Sequence, residues 1–180
     1  YPNFFNKSCS LYKKFDIQWT NYFWSEKNMD FKRAAGILLH PTSLPGKYGI
    51  GELGEEAFKF IDFLVKSGSS LWQIFPLGPT GFGDSPYQCL SAFAGNPLLI
   101  SLLELIKDNL LSINDIEYLE NNNPQKIDFG LIIPWKNKIL ETSFNNYFKK
   151  NTSFKKEYEK FCSKNKASLE DYSIFMALKN

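Results

Sequence analysis

Between Gly78 and Gln88 the chain reads Gly-Pro-Thr-Gly-Phe-Gly-Asp-Ser-Pro-Tyr-Gln. Phe82 and Tyr87 carry flat apolar faces that can pack on a pyranose ring, while Asp84, Ser85 and Gln88 are short polar groups that can reach its hydroxyls. The set suits a sugar. Glycine and proline at this density exclude a helix or a central strand, so a loop must present these side chains. The loop follows Leu71-Trp-Gln-Ile-Phe75, an apolar run too short for a typical helix and flanked by Gly68 and Pro76. That run predicts a buried strand ending at Pro76, with Trp72 in the core.

Other chemistries find little support. His40 is the single histidine, which excludes a histidine-based metal cluster or a pair of imidazole catalysts. Cys9, Cys89 and Cys162 are far apart and without metal-type spacing, and are read as three reduced thiols. Twenty-one basic against nineteen acidic residues give a net charge of +2 with both signs interspersed, so there is no electrostatic footprint for nucleic acid or an anionic membrane. No apolar run approaches the roughly 18 residues of a membrane span. With 180 residues, 43% of them hydrophobic, the chain can bury a sizeable core.

The elements that position the loop can be read in order. Residues 1–32 lack sustained periodicity and have no signal-peptide h-region, and they are read as an extension, with Met29 as the natural start. Ala35 to Leu39 predicts a buried strand that gives way at His40-Pro-Thr-Ser-Leu-Pro-Gly46 to a loop. Ala57, Phe60, Ile61 and Leu64 recur at helical spacing, with Glu55 and Glu56 in the first turn, Lys66 in the last and Gly68 beyond the end, which predicts an amphipathic helix. Strand, helix and strand make a βαβ unit with parallel strands, in a sheet expected to be covered on both faces. Loops after the carboxyl ends of such strands share one rim, so His40–Gly46 and Gly78–Gln88 should converge.

Beyond Pro97 the alternation stops. Ser101 to Glu104 and Ser112 to Asp115 read as capping boxes, Pro134 suits a helix start, Ser153 a cap, and Ser168 to Asp171 the opening of a last helix. The division is therefore 1–32 as extension, 33–100 as the first β/α units with the substrate loops, and 101–180 as an inserted, mainly helical subdomain. Two strands cannot close a sheet and the last helical pattern lacks a terminator, so the chain reads as a fragment of a longer one.

Gly36 to Gly46, Trp72 to Gly81, Gly83 to Gln88, Ala94 to Pro97, Asp128 to Lys136 and Tyr172 to Lys179 together resemble the amino-terminal third of the 4-alpha-glucanotransferase family, also called amylomaltase or disproportionating enzyme. The resemblance implies an α/β chain that begins a (β/α)8 TIM barrel of the alpha-amylase superfamily. It implies transfer of α-1,4-glucan segments to the 4-hydroxyl of glucose or a glucan, with retention, by a cytoplasmic enzyme. Its substrates would be maltose, maltodextrins or starch-type α-glucans, and no cofactor or metal is implied. The nucleophile and the acid/base of the family come from later barrel strands, so no residue here is nominated as catalytic and the fragment is expected to be inactive.

Within the resemblance, Tyr87 matches a tyrosine that packs on a glucose near the cleavage point, and Ser85 offers a hydroxyl to the same region. Their alternatives are a loop-packing ring for Tyr87 and a bond to its own turn for Ser85. Asp84 is read as a structural carboxylate accepting loop N–H bonds, His40 as a structural donor at the rim, and Asn96 as a turn-former. Phe82 replaces a tyrosine that some members use in a remote glucan site, and Gln88 is left undecided. Two rivals stand beside this reading, an alpha-amylase-type hydrolase and a non-catalytic α-glucan-binding protein.

Overall fold

The computed structural model describes residues 33–116, 125–150 and 152–179, without the side chains of 150 and 152–154. The proposed extension 1–32, with Met29, lies outside the described residues. Strand β1 (Gly36–Leu38) pairs in parallel with β2 (Leu71–Gln73), Gly36 opposite Leu71 and Leu38 opposite Gln73. Leu39 N–H extends the ladder to Gln73 O at 3.0 Å before Pro41 and Pro76 end it on either side. The crossover is helix α1 (Glu55–Lys66). It stops where Gly68, at φ 74°, turns left-handed and Ser69 N–H reaches Leu64 O at 2.9 Å.

The expectation of buried strands covered on both faces does not hold within this chain. Leu38 is 51% and Leu71 56% exposed, whereas Ile37 and Trp72 are half-buried. Alternation explains it: Ile37 and Trp72 face α1, where Phe60 meets Trp72 edge-on at 4.9 Å, and no described element packs on the other face. Trp72 is thus at the edge of the packing rather than in a core, with Nε1–H donating to Leu39 O at 2.7 Å.

The apolar core lies elsewhere, between the loop after β1 and the helices that follow. Helix α2 (Leu102–Lys107) and helix α3 (Phe129–Lys150) bury Leu102, Leu105, Ile139, Leu140 and Tyr147 with Tyr48, Leu110 and Leu111. A second cluster joins Ile50, Leu98 and Ile132. Helices α4 (Thr152–Lys164) and α5 (Lys166–Lys179) follow, divided at Asn165, whose N–H still reaches Phe161 O at 3.0 Å.

Three boundaries differ from those the sequence predicts. Helix α3 starts at Phe129, ahead of Pro134, with Asp128 Oδ1 accepting from Leu131 N–H at 3.2 Å; Pro134 sits inside the helix. Ser153 lies within α4 and Ser168 within α5, not before them. Ser101 occupies the N-cap of α2 but makes no side-chain cap bond; the first helical N–H, that of Leu102, is instead taken by Glu52 Oε2 at 3.1 Å from across the fold. The second box is present: Ser112 N–H donates to Asp115 Oδ2 at 2.7 Å, opening a single 3-10 turn, Ile113–Asp115.

The same Glu52 pairs through Oε1 with the Lys136 ammonium of α3, which is fully buried and also donates to Leu98 O at 2.7 Å. Burial pushes the Lys136 pKa below the usual lysine range, and the Glu52 carboxylate opposes that shift. One carboxylate therefore caps α2, neutralises α3 and fixes the loop between β1 and α1 to both.

Candidate functional site

The segment from Leu77 to Asn96 is a closed, hairpin-like excursion. Asn96 N–H reaches Leu77 O at 2.8 Å, Leu90 N–H reaches Pro79 O at 2.9 Å, Thr80 bridges Cys89 antiparallel, and Gly81 N–H reaches Gln88 O at 3.0 Å. Gly78 permits this closure, since a Cβ there would lie 2.8 Å from Ser91 O and 2.9 Å from Cys89 Sγ. Asn96 is buried and its Oδ1 accepts from Leu98 N–H at 2.9 Å, the turn-forming role expected of it.

The tip is a 3-10 turn, Phe82–Asp84, that bends back through Gly83 at φ 72° and Asp84 at φ 53°. The Asp84 side chain makes no hydrogen bond among the described residues, which corrects its reading as an acceptor of loop N–H groups. What holds the turn is backbone, with Asp84 N–H donating to Gly81 O at 3.3 Å. Aspartate tolerates the left-handed conformation better than most residues, and that tolerance is what the position uses.

Ser85 and Tyr87 stand together just after the tip. Ser85 Oγ accepts from Tyr87 N–H at 3.3 Å, and Ser85 O accepts from Gln88 N–H at 3.0 Å. The turn bond expected as the alternative for Ser85 is therefore made, and it uses the oxygen as acceptor while leaving the hydroxyl proton free to donate. Tyr87 is 72% exposed, and Phe82 and Gln88 are exposed as well. The Tyr87 ring rests on Phe75, centroids 5.3 Å apart, and Phe75 stacks on His40 at 5.8 Å and 21°.

The loops after β1 and β2 thus converge, through a contact that apolar periodicity does not reveal. By sequence pattern Phe75 is one more residue of a buried strand; the signal that finds it is register, since the pairing of Leu38 with Gln73, extended two residues past the ladder, leads to His40 beside Phe75. His40 is buried, and its Nδ1 accepts from Thr42 N–H at 3.3 Å and lies 2.7 Å from Thr42 Oγ1. Burial lowers its pKa from the ordinary 6.5, with the Pro76 carbonyl opposing the shift. Among the described residues no group of three or more His, Cys, Asp or Glu could hold a metal ion.

A sequence model of the 4-alpha-glucanotransferase family matches residues 39–180, both converging loops included. The chain belongs to the 4-alpha-glucanotransferase family. It is similar to 4-alpha-glucanotransferases of Thermus thermophilus, 45% identical over 84% of this chain and 30% of that protein, and of Clostridium butyricum, 48% identical over 78% and 28%. A chloroplastic/amyloplastic 4-alpha-glucanotransferase of Solanum tuberosum is 40% identical over 83% and 27%. Among solved structures the amylomaltase of Streptococcus agalactiae in complex with acarbose superposes with a TM-score of 0.76, at 39% identity, over 82% of this chain and 30% of that one. The chain therefore spans about 30% of the length of these relatives.

Proposed function

We propose that this chain supplies the first β/α units and a donor-sugar wall of a 4-alpha-glucanotransferase, which moves α-1,4-glucan segments onto the 4-hydroxyl of glucose or a glucan. The observation that carries the reading is the Ser85–Tyr87 turn, where an exposed ring and a hydroxyl stand together after the carboxyl end of β2. That is the end of a parallel sheet where barrel enzymes build their sites. Membership of the family, and a relative captured with acarbose, support a starch-type α-glucan, maltodextrin or maltose as the substrate.

In this reading residues 33–100 begin a (β/α)8 barrel and 101–180 form an inserted helical subdomain. Retaining transfer needs a nucleophilic carboxylate and an acid/base roughly 5 to 5.5 Å apart. Glu52 is committed to Lys136 and Leu102 N–H, so it is not offered to a glycosidic oxygen. We take the two carboxylates from outside this chain, and the chain alone is inactive. The role of the present residues is to bind: Tyr87 packs on a glucose face and the Ser85 hydroxyl donates to a neighbouring oxygen. The double displacement requires no cofactor or metal. A cytoplasmic location belongs to the same reading; no helix among the described residues is long and apolar enough to cross a membrane.

Incubation of the complete protein that carries this chain with maltotriose tests the reaction. Transfer yields glucose and a ladder of longer oligomers. Glucose and maltose without a ladder would mean hydrolysis, and no product at all would leave a glucan-binding protein.

A further inference from the structure

The parallel register that sets Leu38 opposite Gln73, continued by two residues past the end of the ladder, brings His40 beside Phe75, where the two rings stack. His40 is not free to turn. Nδ1 lies 3.3 Å from the Thr42 N–H and 2.7 Å from the Thr42 hydroxyl, within hydrogen-bond reach of both. Rotating the imidazole would cost both bonds, inside a site where the ring is only 9% exposed. The fixed ring lies nearly parallel to Phe75, at 5.8 Å and 21°, and Phe75 backs Tyr87 at 5.3 Å and 51°. Three rings thus run from the buried end of β1 to the exposed tip loop.

We propose that His40 is a positioning residue that holds Tyr87 in its sugar-facing orientation through the Phe75 ring. The inference rests on the reading of Tyr87 as a glucan contact. A ring 72% exposed would otherwise have to give up rotamer freedom each time a sugar arrived. Bracing one face by Phe75 removes part of that cost and leaves the other face open. Phe75 can brace only if it is itself backed, and His40, tied to Thr42, is what backs it. Offset ring pairs contribute enough for the loss of one to weaken binding roughly three- to tenfold.

The test is a double-mutant cycle on kcat/KM for maltotriose in the complete protein, with melting temperature followed throughout. His40→Ala is expected to lower kcat/KM by roughly tenfold, mostly through KM, and His40→Phe, which restores a ring, by no more than about threefold. In a Tyr87→Ala background His40→Ala should add nothing, because its route to the sugar is gone. A loss of the same size in both backgrounds, or wild-type kcat/KM in His40→Ala beside an impaired Tyr87→Ala, overturns the positioning role and leaves the Tyr87 reading standing. Wild-type kcat/KM in Tyr87→Ala overturns that reading and the inference with it. Should His40→Ala not fold, Thr42→Val removes only the hydroxyl that locks the imidazole, and must show the same dependence on Tyr87.

Discussion

The Lys136 ammonium on α3 donates to Glu52, which lies 84 residues earlier in the loop between β1 and α1, and neither side chain has appreciable contact with water. Removing one partner leaves the other charge buried and unpaired, which costs about 3 to 5 kcal/mol, whereas replacing both by apolar groups of similar volume is often tolerated. Glu52→Ala and Lys136→Met are each expected to destabilise by that amount in urea denaturation, and Glu52→Leu with Lys136→Met by markedly less. Single variants that lose under about 1 kcal/mol would show that the pair is not a tie.

At the tip, Asp84 holds φ at 53° with a side chain that has no partner among the described residues. Asp84→Ala should destabilise by about 1 kcal/mol, since a Cβ residue without aspartate's local tolerance meets the left-handed penalty, and Asp84→Gly should not. Equal stabilities for the two variants would remove the backbone as the reason for the residue.

His40 gives the protein an acid-sensitive contribution with a defined sign. Its folded pKa lies below the ordinary 6.5, so between those two values the unfolded chain binds more protons than the folded one. Stability is then full above about pH 6.5 and is lost as pH falls toward the folded pKa. Melting of the wild type measured against His40→Phe from pH 7.5 to 5 should show the wild type losing ground in that window. A constant difference would mean that His40 titrates alike in both states.

Elements with strong local signals are legible in the sequence. The stripe of Ala57 and Leu64, with Glu55 and Glu56 at the start and Gly68 past the end, specifies α1 because periodicity, dipole and cap agree. The parallel pairing follows from two apolar runs joined by one helix, and Ser85 with Tyr87 in one turn follows from the loop composition. What escapes is decided at long range. Lys136 shares a face of α3 at helical spacing with Ile132, Ile139, Leu140, Ser143 and Tyr147, all buried, where a lysine needs an acid that only the tertiary fold supplies. The Glu52 bond to Leu102 N–H at the start of α2 escapes for the same reason. Leu38 and Leu71 read as buried because apolarity reports a preference for cover and not the element that provides it.

Ser85 separates two uses of one hydroxyl. Its Oγ accepts from Tyr87 N–H, and in the proposed function its proton goes to the sugar. Ser85→Ala loses both functions, and should lower kcat/KM for maltotriose by roughly three- to thirtyfold with stability changed by about 1 kcal/mol or less. A larger loss of stability with unchanged kcat/KM would confine Ser85 to the turn.

Tyr87 is the ring proposed to meet the glucan, and everything assigned to the tip loop depends on that contact. Calorimetric titration of the complete protein with maltoheptaose, wild type beside Tyr87→Ala and Tyr87→Phe, measures it without relying on turnover. The predicted result is a Kd about tenfold weaker in Tyr87→Ala, close to wild type in Tyr87→Phe, with melting unchanged because the ring is largely exposed. The same Kd in all three proteins would contradict the assignment.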